Sequence, residues 1–161
     1  MRPRLSEAAR VGIEVALAEA RAAAALGEVP VGAAVVVHGE VVARAHNETV
    51  ARCDLTQHAE LLAIQRAVAY LGDDRLDHAT LCVTLEPCAQ CAGAIILARV
   101  GQVVFGAYDP KAGMAGSVGD LLRHPRLNHR PEVRGGVRAD ECGAVLREFF
   151  EARRGRTNSA E

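Results

Sequence analysis

His58-Ala59-Glu60 and, further on, Pro87-Cys88-Ala89-Gln90-Cys91 gather the residue types of a reactive metal centre. Imidazole and thiolate are donors that zinc takes in tetrahedral sites, and a catalytic site keeps a fourth position open for water. His58, Cys88 and Cys91 fill three positions and leave that one open. Two thiolates and a neutral imidazole cancel the charge of the zinc ion, and thiolate donation weakens the acidification of water that the metal provides. A nearby base then becomes useful, and Glu60, two residues from His58, is placed to carry protons.

Other uses of a C-x-x-C pair explain less. A redox pair leaves His58 and Glu60 without a role. A structural zinc site needs a fourth protein ligand, for which Cys53, Cys82 and Cys142 are the remaining thiols. Cys82 falls in an apolar run and Cys142 in a closing helix, where a thiol packs as a small hydrophobe.

The surrounding pattern predicts the elements that hold these residues. Ser6 caps an Ala-rich helix that ends at Leu26 before Gly27, with Glu7, Arg10, Glu14 and Arg21 on its polar face. Gly32–His38 and Val41–Ala45 read as a hairpin turning at Gly39-Glu40. A helix from His58 to Leu71 stops at Gly72, and Thr80–Thr84 is a strand that Leu85-Glu86-Pro87 interrupts. Pro87 suits the start of a helix running from Cys88 to Ala98, which puts both cysteines on its opening turn and facing the same way. The free amides and positive dipole end there favour thiolates. Val103–Gly106 is a further strand. Tyr108 to Pro131 reads as loop around a short helix at Gly119–Arg123, Glu132–Arg134 as an edge strand, Ala139–Arg153 as a closing helix, and 154–161 as a flexible tail. Strands alternating with helices over 161 residues predict one domain, residues 1–153, with a layered α/β/α architecture.

Half of the residues are hydrophobic but only 3% are aromatic, so the core must be built from Ala, Val, Leu and Ile. No apolar run reaches the ~18–20 residues of a membrane span, no secretory leader is evident, and five cysteines make an odd count that suits a reducing, cytoplasmic setting. The net charge of −1 excludes a generally basic nucleic-acid binder, yet Arg123, Arg126, Arg130, Arg134 and Arg138 form a local patch with Glu132 as its lone acid. Arg147, Arg153, Arg154 and Arg156 form a second one, partly offset by Glu148 and Glu151. Patches of this kind can hold phosphates.

Beyond the metal motif, Glu28-Val29-Pro30-Val31-Gly32-Ala33, Asn47, Thr84-Leu85-Glu86-Pro87-Cys88, Cys91-Ala92-Gly93-Ala94, Val103-Val104-Phe105-Gly106, Asn128-His129-Arg130 and Asp140-Glu141-Cys142 resemble the bacterial tRNA-specific adenosine deaminases. The resemblance runs from the first helix to about Arg153, and the H-x-E…P-C-x-x-C pattern is itself an established signature of zinc deaminases acting on nucleobases. It implies a three-layer α/β/α cytidine deaminase-like fold with a central mixed sheet of about five strands. It also implies conversion of adenosine to inosine at the first anticodon position of an arginine tRNA. One zinc ion per subunit would be held by His58, Cys88 and Cys91, with Glu60 as proton shuttle. Asn47, Ala59, Asp109, Asn128, His129, Arg130 and Phe149 would contact the tRNA anticodon stem-loop, in a homodimer whose two subunits both reach the substrate. Leu55, Gln90 and Tyr108 depart from the family's usual Pro, Met and basic residue.

Two other readings compete. A deaminase of free bases or nucleosides needs no basic patch, which speaks against it. A non-catalytic zinc-bearing RNA-binding subunit has no use for Glu60.

Overall fold

The computed structural model describes residues 3–158. Helix α1 (Glu7–Ala25) begins where Ser6 Oγ accepts the amide of Ala9, and Gly27, at φ 78°, turns the chain away after Leu26. Strands β1 (Gly32–Val37) and β2 (Glu40–His46) form the expected hairpin. Helix α2 (Ala59–Leu71) is capped by His58 and closed by Gly72 in the left-handed conformation. Then come β3 (Ala79–Leu85), α3 (Ala89–Leu97) capped by Cys88, β4 (Gln102–Ala107), β5 (Glu132–Arg134) and α4 (Ala139–Asn158).

The sheet order is β2-β1-β3-β4-β5, with β1 antiparallel to both of its neighbours and β3, β4 and β5 mutually parallel. Alternation along the strands separates two layers. Leu81, Val83, Val103 and Phe105 pack with Ala59, Leu62, Ala63 and Ile95 of α2 and α3. Cys82 and Val104 point the other way, to Ile13 and Leu17 of α1 and Cys142 of α4. Small residues let α1 lie directly on the sheet: a Cβ on Gly32 would come within 1.9 Å of the Ala16 carbonyl oxygen, and one on Gly12 within 2.3 Å of Cys82 Sγ. The three-layer α/β/α arrangement with a five-stranded mixed sheet is the cytidine deaminase-like fold expected from the sequence.

Two local expectations are corrected. Gly119–Arg123 forms no helix. The Leu121 amide bonds the Met114 carbonyl and the Gly116 amide bonds that of Gly119, so these backbone groups close a turn around the Ala115–Asp120 bridge instead of bonding within a helical turn. Helix α4 continues to Asn158, past the expected end at Arg153. Arg153 lies 4.5 Å from the centre of the Phe149 ring, four residues earlier, and donates to the Gly27 carbonyl, which anchors the last turns against α1. Residues 159–161 of the expected tail lie outside the described residues. No helix among the described residues is long and apolar enough to cross a membrane.

Candidate active site

The parallel strands β3 and β4 aim their C-terminal ends at the N-termini of α2 and α3, a place where open α/β sheets bind ligands. His58 and Cys88 are each the residue before a helix, and neither side chain caps its own helix, so both can turn to each other. His58 Nδ1 lies 3.5 Å from the Sγ of Cys88 and 3.5 Å from that of Cys91, and the three donor atoms all lie within 4.8 Å of one another. Zinc bonds of about 2.05 Å to nitrogen and 2.3 Å to sulfur make the N···S edge of a tetrahedron about 3.6 Å, so the spacing fits.

The electrostatics fit a dication as well. Hydrogen bonds from Cys91 and His58 draw Cys88 down to about 3. Cys91 is pushed up, because hydrogen bonding with Cys88, burial and the Glu60 charge all oppose a second thiolate beside the first. A bound cation would let both sulfurs ionise. Burial raises Glu60, while its own backbone amide and His58 oppose that rise. Glu60 is 4% exposed and lies on the pocket floor with His58 and Cys88.

The pocket has a volume of about 310 Å³, at the small end of ligand sites and suited to one nucleobase. Two loops wall it. Thr49 and Leu55 belong to the loop between β2 and α2, and Asp109 and Ala112 to the segment after β4. Asn47 is buried at the pocket edge, with its Oδ1 accepting the Ala59 amide, which leaves Nδ2 as a donor. Ala59 is fully buried under the cup, its N–H taken by Asn47. Asp109 Oδ1 accepts the amides of Lys111 and Ala112, which folds the second wall into a turn.

Other anticipated residues lie elsewhere. Asn128, His129 and Arg130 lie just before β5, where His129 Nε2 bonds the Val100 carbonyl before β4, so the six-residue length of β4, about 20 Å, separates them from the cup. Within the first basic patch, Arg123 bonds Asp120, Arg134 bonds the Pro3 carbonyl, and Arg138 joins Glu14 to Glu141. Arg126 and Arg130 remain exposed, the latter resting on the Pro125 and Leu127 carbonyls. Phe149 is half-buried beneath Arg153, and Phe150, 44% exposed, faces a groove of about 500 Å³ with Lys111, Arg147 and Arg154. Lys111 adjoins Ala112, so the groove lies beside the mouth of the pocket.

Sequence reasoning missed two buried carboxylates. Glu28 accepts the Val50 amide and pins the first wall, and Glu86 gathers four hydrogen bonds from the second. Burial alone would raise Glu86, but bonds from Ser117 and from the Asp109 and Ala115 amides outweigh it and hold the carboxyl below its usual range. The available signal was a charged residue closing an apolar strand just before a proline.

The other thiols behave as core or surface. Burial pushes Cys82 up to about 12 and Cys142 up to about 11, and Cys53 is exposed. With zinc bound, a thiol reagent at pH 8 should therefore label Cys53 alone, and chelation should add Cys88, read by mass spectrometry of the digested protein. Rapid labelling of Cys82 in folded protein would contradict this packing.

A three-layer domain with this cup, and with a buried carboxylate on the floor of a base-sized pocket, defines a deaminase of the cytidine deaminase-like class, a hydrolase. The model of the MafB19-like deaminase family matches residues 12–154. The tRNA-specific adenosine deaminase of Bacillus subtilis is 49% identical over 145 residues, covering 90% of each chain. A solved structure from a study of A-to-I editing by tRNA:A34 deaminases at the wobble position of transfer RNA aligns with a TM-score of 0.82 at 42% identity, covering 85% of this chain and 99% of that one. The guanine deaminase of Nitrosomonas europaea shares the fold at TM-score 0.76 but only 25% identity, over 92% and 87% of the two chains. The chain belongs to the tRNA-specific adenosine deaminase family.

Proposed function

We propose that this chain converts adenosine to inosine at the first anticodon position of a tRNA in the cytoplasm, with an arginine tRNA carrying an ACG anticodon as substrate. The observation that carries the reading is the three-donor cup with Glu60 beside it on the floor of a pocket sized for one base. Zinc held by His58, Cys88 and Cys91 would supply a water of lowered pKa. Glu60 would take a proton from the attacking water and hand it to the adenine ring nitrogen, then take the second proton from the hydroxyl on C6 and pass it to the departing amine, so that water's oxygen ends as the C6 carbonyl and ammonia leaves. Asn47 Nδ2 would donate to the flipped base, and Asp109 would meet the adjoining nucleotide at the rim.

The groove beside the mouth would take the neighbouring strand, its cations meeting phosphates and the Phe150 ring a base. Phe150→Ala should then weaken tRNA binding by about 1–3 kcal/mol, the usual value of one stacked base, with the zinc content unchanged. Equal tRNA affinity for the variant, by filter binding, would remove Phe150 from the interface. Because Asn128, His129 and Arg130 lie a strand's length from their own cup, they would serve the site of a second copy, which makes a homodimer part of the proposal. Sedimentation of the zinc-loaded protein tests that part.

The direct test is inosine formation in the ACG-anticodon tRNA, with adenosine, cytidine and guanine as parallel substrates. Inosine at the first anticodon position alone supports the proposal. Ammonia from a free base or nucleoside, with the tRNA untouched, overturns it and leaves a small-molecule deaminase.

A further inference from the structure

Between the two cysteines stands Gln90, an exposed side chain with one function still to explain. Its Nε2 donates to the Thr56 carbonyl at 2.9 Å and lies 4.0 Å from Cys91 Sγ. The same Thr56 carbonyl accepts the backbone amide of His58 at 2.8 Å. One oxygen thus receives a bond from the histidine that opens α2 and another from the helix that carries both cysteines. Thr56 is itself fixed, since Asp54 accepts its amide and hydroxyl and also the Gln57 side chain. Apart from the donor atoms of the cup, no other hydrogen bond among the described residues joins the 47–58 loop to α3. An amide NH2 has two protons to give, and Nε2 stands within reach of both the Thr56 carbonyl and the Cys91 sulfur.

We propose that Gln90 is a positioning residue of the metal cup: its amide ties the His58 loop to the helix bearing Cys88 and Cys91, and steadies the Cys91 sulfur, so that zinc is held longer. The inference rests on the reading that this cup holds zinc. The groups that orient metal ligands, rather than the ligands themselves, commonly set a 10–100-fold range in metal affinity. A methionine at this position has nearly the same length and bulk but no donor. A glutamate has the same shape and aims negative charge at a carbonyl and a sulfur.

The test uses the zinc-loaded full chain mixed with excess chromophoric chelator, with zinc release followed in time. Gln90→Met and Gln90→Ala should both release zinc about tenfold faster than wild type or more, and Gln90→Glu faster still. Because the side chain is exposed, the metal-free forms of wild type and Gln90→Met should melt at the same temperature. The gap between metal-free and loaded melting temperatures should narrow in the variant. Wild-type release rates in Gln90→Met overturn the proposal. Fast release in Gln90→Ala with wild-type release in Gln90→Met overturns it too, because bulk rather than the amide would then be what matters. A wild-type chain that holds no zinc sinks the metal reading itself, whereas tightly held zinc indifferent to Gln90 sinks this inference alone.

Discussion

Glu60→Gln should keep its zinc, one ion per chain by elemental analysis, and deaminate tRNA roughly 10²–10⁴-fold more slowly, the range that a positioned acid–base group contributes. The substitution is isosteric, and Glu60 is not among the donor atoms of the cup, so the metal has no reason to leave. Glutamine can neither accept the proton of water nor return one to the departing amine. Folding should tolerate the change, because a neutral amide is easier to bury than a carboxylate whose burial already opposes its charge. Substrate binding should persist, so the loss appears in kcat with KM little altered, the mark of an interaction made in the transition state. Single-turnover measurements with excess enzyme separate this from slow product release. Unchanged turnover in a zinc-replete variant would falsify the assignment of Glu60.

What could be read from the sequence was what depends on near neighbours in the chain. Ser6, Gly27 and Gly72 stop and start helices through bonds that span a few residues, and all three do so here. His58, Glu60, Cys88 and Cys91 were legible because metal chemistry admits few residue types, and i,i+3 spacing on an opening turn fixes their direction. The arginine patch was legible as charge but not as function. Arg138 finds Glu14 across 124 residues and Arg134 finds the Pro3 carbonyl across 131, and neither partner is predictable from local composition. The turn at Gly119–Arg123 was misread for the same reason, its backbone groups being taken by Met114 and Gly116 rather than by a helical ladder. The loop from Tyr108 to Pro131 was seen as irregular, but what orders it lies in another element.

That ordering group is Glu86, and Glu86→Gln should lower stability by about 1–3 kcal/mol, the usual cost of one buried donor left unpaired. The carboxylate is 2% exposed and both of its oxygens are fully engaged. Oε1 accepts the Asp109 amide and the Ser117 hydroxyl, and Oε2 accepts the Ala115 and Ser117 amides. Glutamine turned with its NH2 toward the Ala115 and Ser117 amides leaves two donors unpaired, and turned the other way it leaves the Asp109 amide unpaired, because the Ser117 hydroxyl can rotate to accept. A loss of about 1–3 kcal/mol in a chain of this size lowers the melting temperature by about 2–12 °C. Gly113→Ala is the independent check from the other side, because a Cβ there would lie 2.2 Å from the Glu86 carboxyl carbon and would push the loop off its anchor. Both variants should keep zinc, and both should raise KM for tRNA more than they lower kcat, because the loosened segment carries Asp109 and Ala112 on the pocket wall while Glu60 and the cup sit on α2 and α3. If Glu86→Gln melts with wild type, the four bonds do not hold the wall. If it unfolds more easily but binds tRNA as tightly as before, the wall is ordered by Glu86 without taking part in recognition, and Asp109 loses its proposed place beside the substrate.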